Sequence, residues 1–172
     1  MIERIVSGGQ TGVDRAALDA AMDAGLQCGG WCPRGRRAED GVIPERYPLR
    51  ETESSDYRER TRRNVVDSDA TLILFTGKLS AGTALTRELA LAADKPLLMI
   101  DLDSPLSPPD VIAWLRDHGV VALNIAGPRE SQRPGIAQRA NEILSAVFSL
   151  LAPEAEARPL SISDASGDSG GA

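Results

Sequence analysis

The chain has 172 residues, 42% of them hydrophobic, which suits one domain with a single sizeable core. Its net charge of -6 and its two residues each of Trp, Tyr and Phe argue against a general nucleic-acid binder, which needs a basic face and stacking rings. No apolar stretch approaches the roughly 18 to 20 residues of a membrane span, and MIERIVSGGQ lacks the layout of a secretion signal, so a cytoplasmic protein is expected.

The apolar residues Ile2, Ile5 and Val6 predict a first strand, ended by SGGQTG. Val13, Ala16, Ala17, Ala20 and Ala21 then recur at helical spacing, and Gly25 closes that helix as a C-terminal cap. Leu26 to Trp31 is a short second strand. It leads into Cys32 to Asp56, rich in Gly, Pro and charge and without either period, which predicts a long loop of about 25 residues. Cys28 and Cys32 are too far apart for a C-x-x-C pair, and with His118 as the sole histidine no Cys/His zinc site can be assembled.

Tyr57 to Asp67 predicts an arginine-rich helix, and SDATLILF a strand whose continuous apolar run suits burial on both faces of a parallel sheet. TGKLSAGT, the helix ALTRELALAA, the strand LLMID, a helix around Pro109 to His118 and the strand VVALNI follow, before the loop AGPRESQRPG and a last helix from Ile136 to Leu151. Alternating strands and helices imply an α/β, Rossmann-like doubly wound domain over residues 1–151: a mostly parallel sheet of about five strands with helices on both faces. The stretch 152–172, poor in large apolar groups and rich in Ser, Gly, Ala and Asp, reads as a disordered tail.

Ligands of open parallel sheets bind beyond the carboxyl ends of the strands, where helix N-termini present free N–H groups. Three loops belong there. The first is Ser7, Gly8, Gly9, Gln10, Thr11 and Gly12, with Arg15 on the following helix; the second runs from Thr76 to Thr83 with Ser80, Gly82 and Thr83; the third holds Asn124, Gly127 and Arg129. Any one Gly-rich turn can be purely structural. Three on one edge, each with hydroxyl, amide or guanidinium donors, point to an oxyanion-binding crevice. Arg34 beside Gly35, and Arg62 with Asn64, are candidates to close over a ligand; most other arginines between Arg34 and Arg63 have acids to pair with.

Two common phosphate motifs are excluded. Gly8, Gly9 and Gly12 have the wrong spacing for GxGxxG, and Leu72 stands where an ATPase loop would need its first glycine. His118, near the end of a surface helix, is the only imidazole available as a catalytic base, and no catalytic or metal-binding set emerges. Asp14 lies in the first turn of its helix, where a carboxylate meets the helix dipole favourably; orienting a ligand hydroxyl is the alternative.

The strings SGGQTGVDRAAL (7–18), GGWCPRGRRAEDG (29–41), ERYPL (45–49), RTRRNVVDSDATLI (60–73), SAGTALT (80–86) and NIAGPRES (124–131) resemble the molybdenum carrier protein family. That family is Rossmann-like and related to the lonely-guy phosphoribohydrolases and to DNA-processing proteins. The resemblance implies a homo-oligomer, a dimer or tetramer, that binds molybdenum cofactor: a small anionic ligand made of a pterin, a dithiolene-held metal and a phosphate monoester. The hydrolase relatives carry a glutamate three residues after the threonine of their glycine-rich loop; Thr86 stands there, and Glu88 is two positions, about 200°, further round the helix. A carrier is therefore the first reading. A nucleotide-binding sensor or nucleoside-monophosphate hydrolase of the lonely-guy type is the alternative.

Overall fold

The computed structural model describes residues 2–151. The expected tail, 152–172, lies outside them. The elements in chain order are β1 (Arg4–Val6), α1 (Val13–Asp23), β2 (Gln27–Cys32), β3 (Arg37–Ala38), β4 (Gly41–Val42), β5 (Leu49–Glu51), α2 (Tyr57–Val66), β6 (Ala70–Phe75), α3 (Ala81–Ala92), β7 (Leu97–Asp101), α4 (Pro108–Asp117), β8 (Ala122–Ala126) and α5 (Ile136–Ser149).

Six strands form one sheet in the order β5-β2-β1-β8-β6-β7, every neighbouring pair parallel. The α/β doubly wound class is as expected, with one strand more than the expected five. The extra strand is β5, which pairs with β2 from Gly30↔Leu49 to Cys32↔Glu51. Helices α1 and α5 pack together on one face with α4 beside α5, while α2 and α3 pack together on the other. The main core runs between the sheet and the first of these layers, through Ile5, Leu72, Leu74, Leu123 and Ile125 on the strands and Ala17, Ile136, Leu144 and Phe148 on the helices.

The segment expected to be one long loop carries short strands and packs around a second, smaller core of Leu18, Cys32, Ile43 and Tyr47. Arg36, in the left-handed region at φ 50°, sends its guanidinium to the carbonyls of Ile43, Pro44, Tyr47 and Leu49. One side chain thus satisfies acceptors that a longer sheet would otherwise have to pair. Strands β3 and β4 form the short antiparallel hairpin this arrangement supports. Burying Ile43 and Tyr47 contributes about 1.5 to 3 kcal/mol each, enough to hold a segment with so little regular structure.

The order of strands also places the binding edge. The chain leaves β1 for β2 in one direction and β6 for β7 in the other, and the crossover through α4 returns β8 between β1 and β6. The loops leaving β1, β6 and β8 therefore emerge side by side, the position that open α/β sheets use for ligands.

Candidate functional site

Those loops, with the facing sides of α2 and α3, enclose a cavity of about 250 Å³. Asp56 caps α2 by accepting the Arg58 N–H. The helix then presents Tyr57, Arg60, Thr61 and Asn64 to the cavity, the spacing of one helical face. Arg62 lies about 200° round from Arg60 and is exposed outside the cavity. Ser80 caps α3, its Oγ meeting the Thr83 N–H at 3.4 Å and the Thr83 hydroxyl at 2.8 Å. Ser80, Ala81 and Gly82 thus bring the positive end of the α3 dipole to the wall.

The floor comes from the first loop. Gly8 has no room for a side chain, because a Cβ there would fall 1.4 Å from the Arg60 guanidinium. Against that bare backbone, Arg60 pairs with Asp14 at 2.9 Å, with side chains 15% and 5% exposed. Gln10 is 4% exposed. Its Oε1 accepts the N–H groups of Thr11 (3.0 Å) and Glu39 (2.9 Å), which fixes the sense of the amide and leaves Nε2 without an acceptor. Among the described residues Arg60 Nε is likewise buried and unpartnered. Unmade buried hydrogen bonds cost about 1 to 3 kcal/mol each, so both groups are donors in want of an acceptor.

The third loop adds Asn124, Gly127, Arg129 and Gln132 to the wall. Arg129 stands over Tyr57, 5.0 Å from the ring centroid, and its guanidinium donates no hydrogen bond among the described residues. Asn124 is 2% exposed and donates to Thr71 Oγ1 at 3.3 Å. Asn64, by contrast, is fully committed: its amide clamps the Trp31 peptide, accepting the N–H at 2.7 Å and donating to the carbonyl at 3.0 Å.

Of the residues singled out from sequence, Gly8, Gln10, Asn64, Ser80, Gly82, Asn124, Gly127 and Arg129 meet at this cavity. Of the others, Ser7, Gly9, Thr11, Gly12, Arg15 and Thr83 hold its frame, while Arg34, Gly35, Arg62 and Thr76 lie away from it. Ser7 Oγ donates to the Ile125 carbonyl at 2.7 Å, stitching β1 to β8. Gly9 packs beneath Leu49 and Ile43, and Gly12, at φ 80°, lies so close to the Pro128 carbonyl that a Cβ would be 2.3 Å from it. The Thr11 hydroxyl donates to Glu39, and Arg15 makes a paired contact to Asp40 at 2.5 and 2.8 Å while its Nε meets the Gly9 carbonyl. Arg34 is exposed on the β2–β3 connection, and the Gly35 N–H meets Glu51. Thr83 is buried behind the cap, and Thr76 borders a separate cavity beside Arg133 and Arg139, whose guanidinium groups donate to main-chain carbonyls.

Tyr57, Arg60 and Thr61 were not among the expected residues. The signal for them was the 57, 60, 61, 64 spacing in a helix whose inward face is polar. The tip of the hairpin is the other unforeseen contributor: Glu39 accepts from the Ser131 N–H at 3.1 Å and from the Thr11 and Ser131 hydroxyls, tying the first loop to the third. Partial burial pushes the Glu39 carboxyl up, but the hydrogen bonds from Ser131 and Thr11 outweigh it and hold it below the usual range. The Arg15 hydrogen bond lowers Asp40 likewise. Both cysteines lie outside the cavity, and burial raises each thiol above its ordinary value, which keeps it protonated at neutral pH. Among the described residues no group of three or more His, Cys, Asp or Glu side chains is arranged to hold a metal ion.

A family model described as the circularly permutated YpsA SLOG family matches residues 5–148. The chain belongs to that family. A solved structure from Syntrophus aciditrophicus SB, described as a "Putative molybdenum carrier protein", is 47% identical in sequence, with a TM-score of 0.80 over 85% of this chain and 94% of that one. No curated protein matches the chain. The matched span runs from within β1 to the last turn of α5, so this SLOG-family domain includes every loop that borders the cavity.

Proposed function

We propose that this SLOG-family chain is a non-enzymatic carrier that holds a small phosphate-bearing anion in the cleft, with molybdenum cofactor as its cargo. The observation that carries the reading is the convergence on one cavity, among the described residues, of an Arg129 guanidinium that donates no hydrogen bond, two orphaned donors on Gln10 and Arg60, and the N-terminus of α3, against a single carboxylate, Asp14. A phosphate suits the α3 N-terminus, where the helix dipole and free N–H groups favour an anion. The donor set suits oxygen-rich cargo. With no cluster of protein ligands among the described residues, the metal would keep the sulfur ligands of its own pterin, and the protein would hold the organic part. The likeness to a protein described as a molybdenum carrier supports the choice of cargo. Assembly into a homo-oligomer belongs to the same reading, supported by Val66 and Leu91, which expose apolar surface on the α2–α3 layer.

The alternative, a nucleotide-binding sensor or nucleoside-monophosphate hydrolase, is favoured by the modest size of the cavity. Its weakness is chemical. Thr86 occupies the expected glutamate position with its hydroxyl spent on the Gly82 carbonyl at 3.1 Å, and Glu88 is exposed outside the cavity.

The test is the cargo itself. Protein purified gently from its native host should contain molybdenum and a pterin phosphate in equal amounts by metal analysis and mass spectrometry, and an Arg129→Ala variant should contain neither. A nucleotide without molybdenum would overturn the carrier reading in favour of the alternative.

A further inference from the structure

The deep wall of the cleft combines hydrogen-bonding groups of opposite sense. Asp14 uses its oxygens unequally: Oδ2 accepts from Arg60 at 2.9 Å and from the Gln10 main-chain N–H at 3.3 Å, while Oδ1 accepts from none of the described residues. Beside it stand Gln10 Nε2 and Arg60 Nε, two donors without acceptors. Gln10 cannot turn its amide over without breaking the two N–H contacts to Oε1. An acceptor oxygen is thus set next to fixed donors, and a fully ionised phosphate cannot complement that pattern, since it has only acceptors and no donor to offer Asp14.

We propose that this wall reads the 2-amino-4-oxo pyrimidine ring that pterins and guanine share. The ring N–H and the exocyclic amine would meet Asp14, and the carbonyl would meet Gln10 Nε2 and Arg60 Nε. The proposal rests on the reading of the cleft as a site for a phosphate-bearing ligand. A cavity of about 250 Å³ lies just below the usual lower limit of roughly 300 Å³ for small-molecule sites, so one ring system with one anionic group is favoured over a dinucleotide. Hypoxanthine lacks the amine and adenine presents the reverse pattern, so both are poor matches.

Calorimetric titration with a series of monophosphates tests this on the unaltered protein. Guanosine monophosphate or a pterin monophosphate should bind, with inosine monophosphate about tenfold weaker and adenosine monophosphate weaker still, on the order of a hundredfold. Preference for the pterin over guanosine, or the reverse, identifies which source of the ring the wall accepts. Asp14→Asn replaces an acceptor by a donor, so it should weaken guanosine monophosphate about tenfold or more and favour xanthosine monophosphate, whose carbonyl replaces the amine. If that variant does not fold, the wild-type series decides alone. Equal affinity for all the monophosphates would remove the ring reading and leave the anion site standing. Failure of every monophosphate to bind would remove both.

Discussion

Individual residues in the binding edge separate into those that touch the cavity and those that let the loops touch each other, and glycine shows the difference best. Gly12 combines a left-handed φ with a backbone oxygen where its Cβ would go. Gly82 is helical, with open space around its Cβ position. Replacing each by Ala should therefore have opposite effects. Gly12→Ala should lose more than about 2 kcal/mol from strain and overlap, while Gly82→Ala should gain up to about 1 kcal/mol from helix propensity, measured by urea unfolding. Both were legible as loop glycines, but sequence could not assign the roles, because close approach to Pro128 is made by a segment more than a hundred residues away. Arg60 was hidden for a related reason: among nine arginines between Arg34 and Arg63, only the phase of α2 singles it out. The two thiols carry a simpler expectation. With both pushed upward by burial, alkylation by iodoacetamide at pH 7.5, a condition of roughly ordinary thiol reactivity, should run well below the rate of free cysteine.

Among the elements, the regular strands and helices were readable because period and capping agree. Helix α3 begins earlier than its apolar period suggests, since Ser80 caps it and carries Ala81, Gly82 and Thr83 into the first turn. The hairpin was not readable. Its strands are two residues each, and its order comes from Arg36 and the small core around Ile43 and Tyr47 rather than from any repeat. Its tip, through Glu39 and Asp40, depends on ionised carboxylates. Both groups sit below their ordinary values of 4.5 and 3.8 in the folded chain, so their stabilisation is complete above those values and disappears as pH falls through the lowered ones. The melting temperatures of wild type and of a Glu39→Gln, Asp40→Asn double variant should differ by a constant amount above about pH 5.5 and converge as pH drops below the ordinary carboxylate range. A gap that persists in acid would mean that the contacts act through packing instead.

For the whole molecule, the alternation of strands and helices was enough to give a doubly wound sheet, and that class alone placed the ligand edge. The insertion of β8 between β1 and β6 was beyond reach of local pattern, yet it brings the Arg129 loop to the Gln10 loop and so assembles the cavity. The central claim is that this cavity binds an anion at the start of α3. Gly82→Asp tests it most directly, because an Asp in the first turn suits the helix dipole and meets no neighbour, yet places a negative charge where the phosphate is expected. In a calorimetric titration with a pterin monophosphate, wild type should bind saturably and Gly82→Asp at least about tenfold more weakly, a difference of roughly 1.4 kcal/mol, with a melting temperature no lower than that of wild type. Equal binding by the two proteins would contradict the assignment of the site.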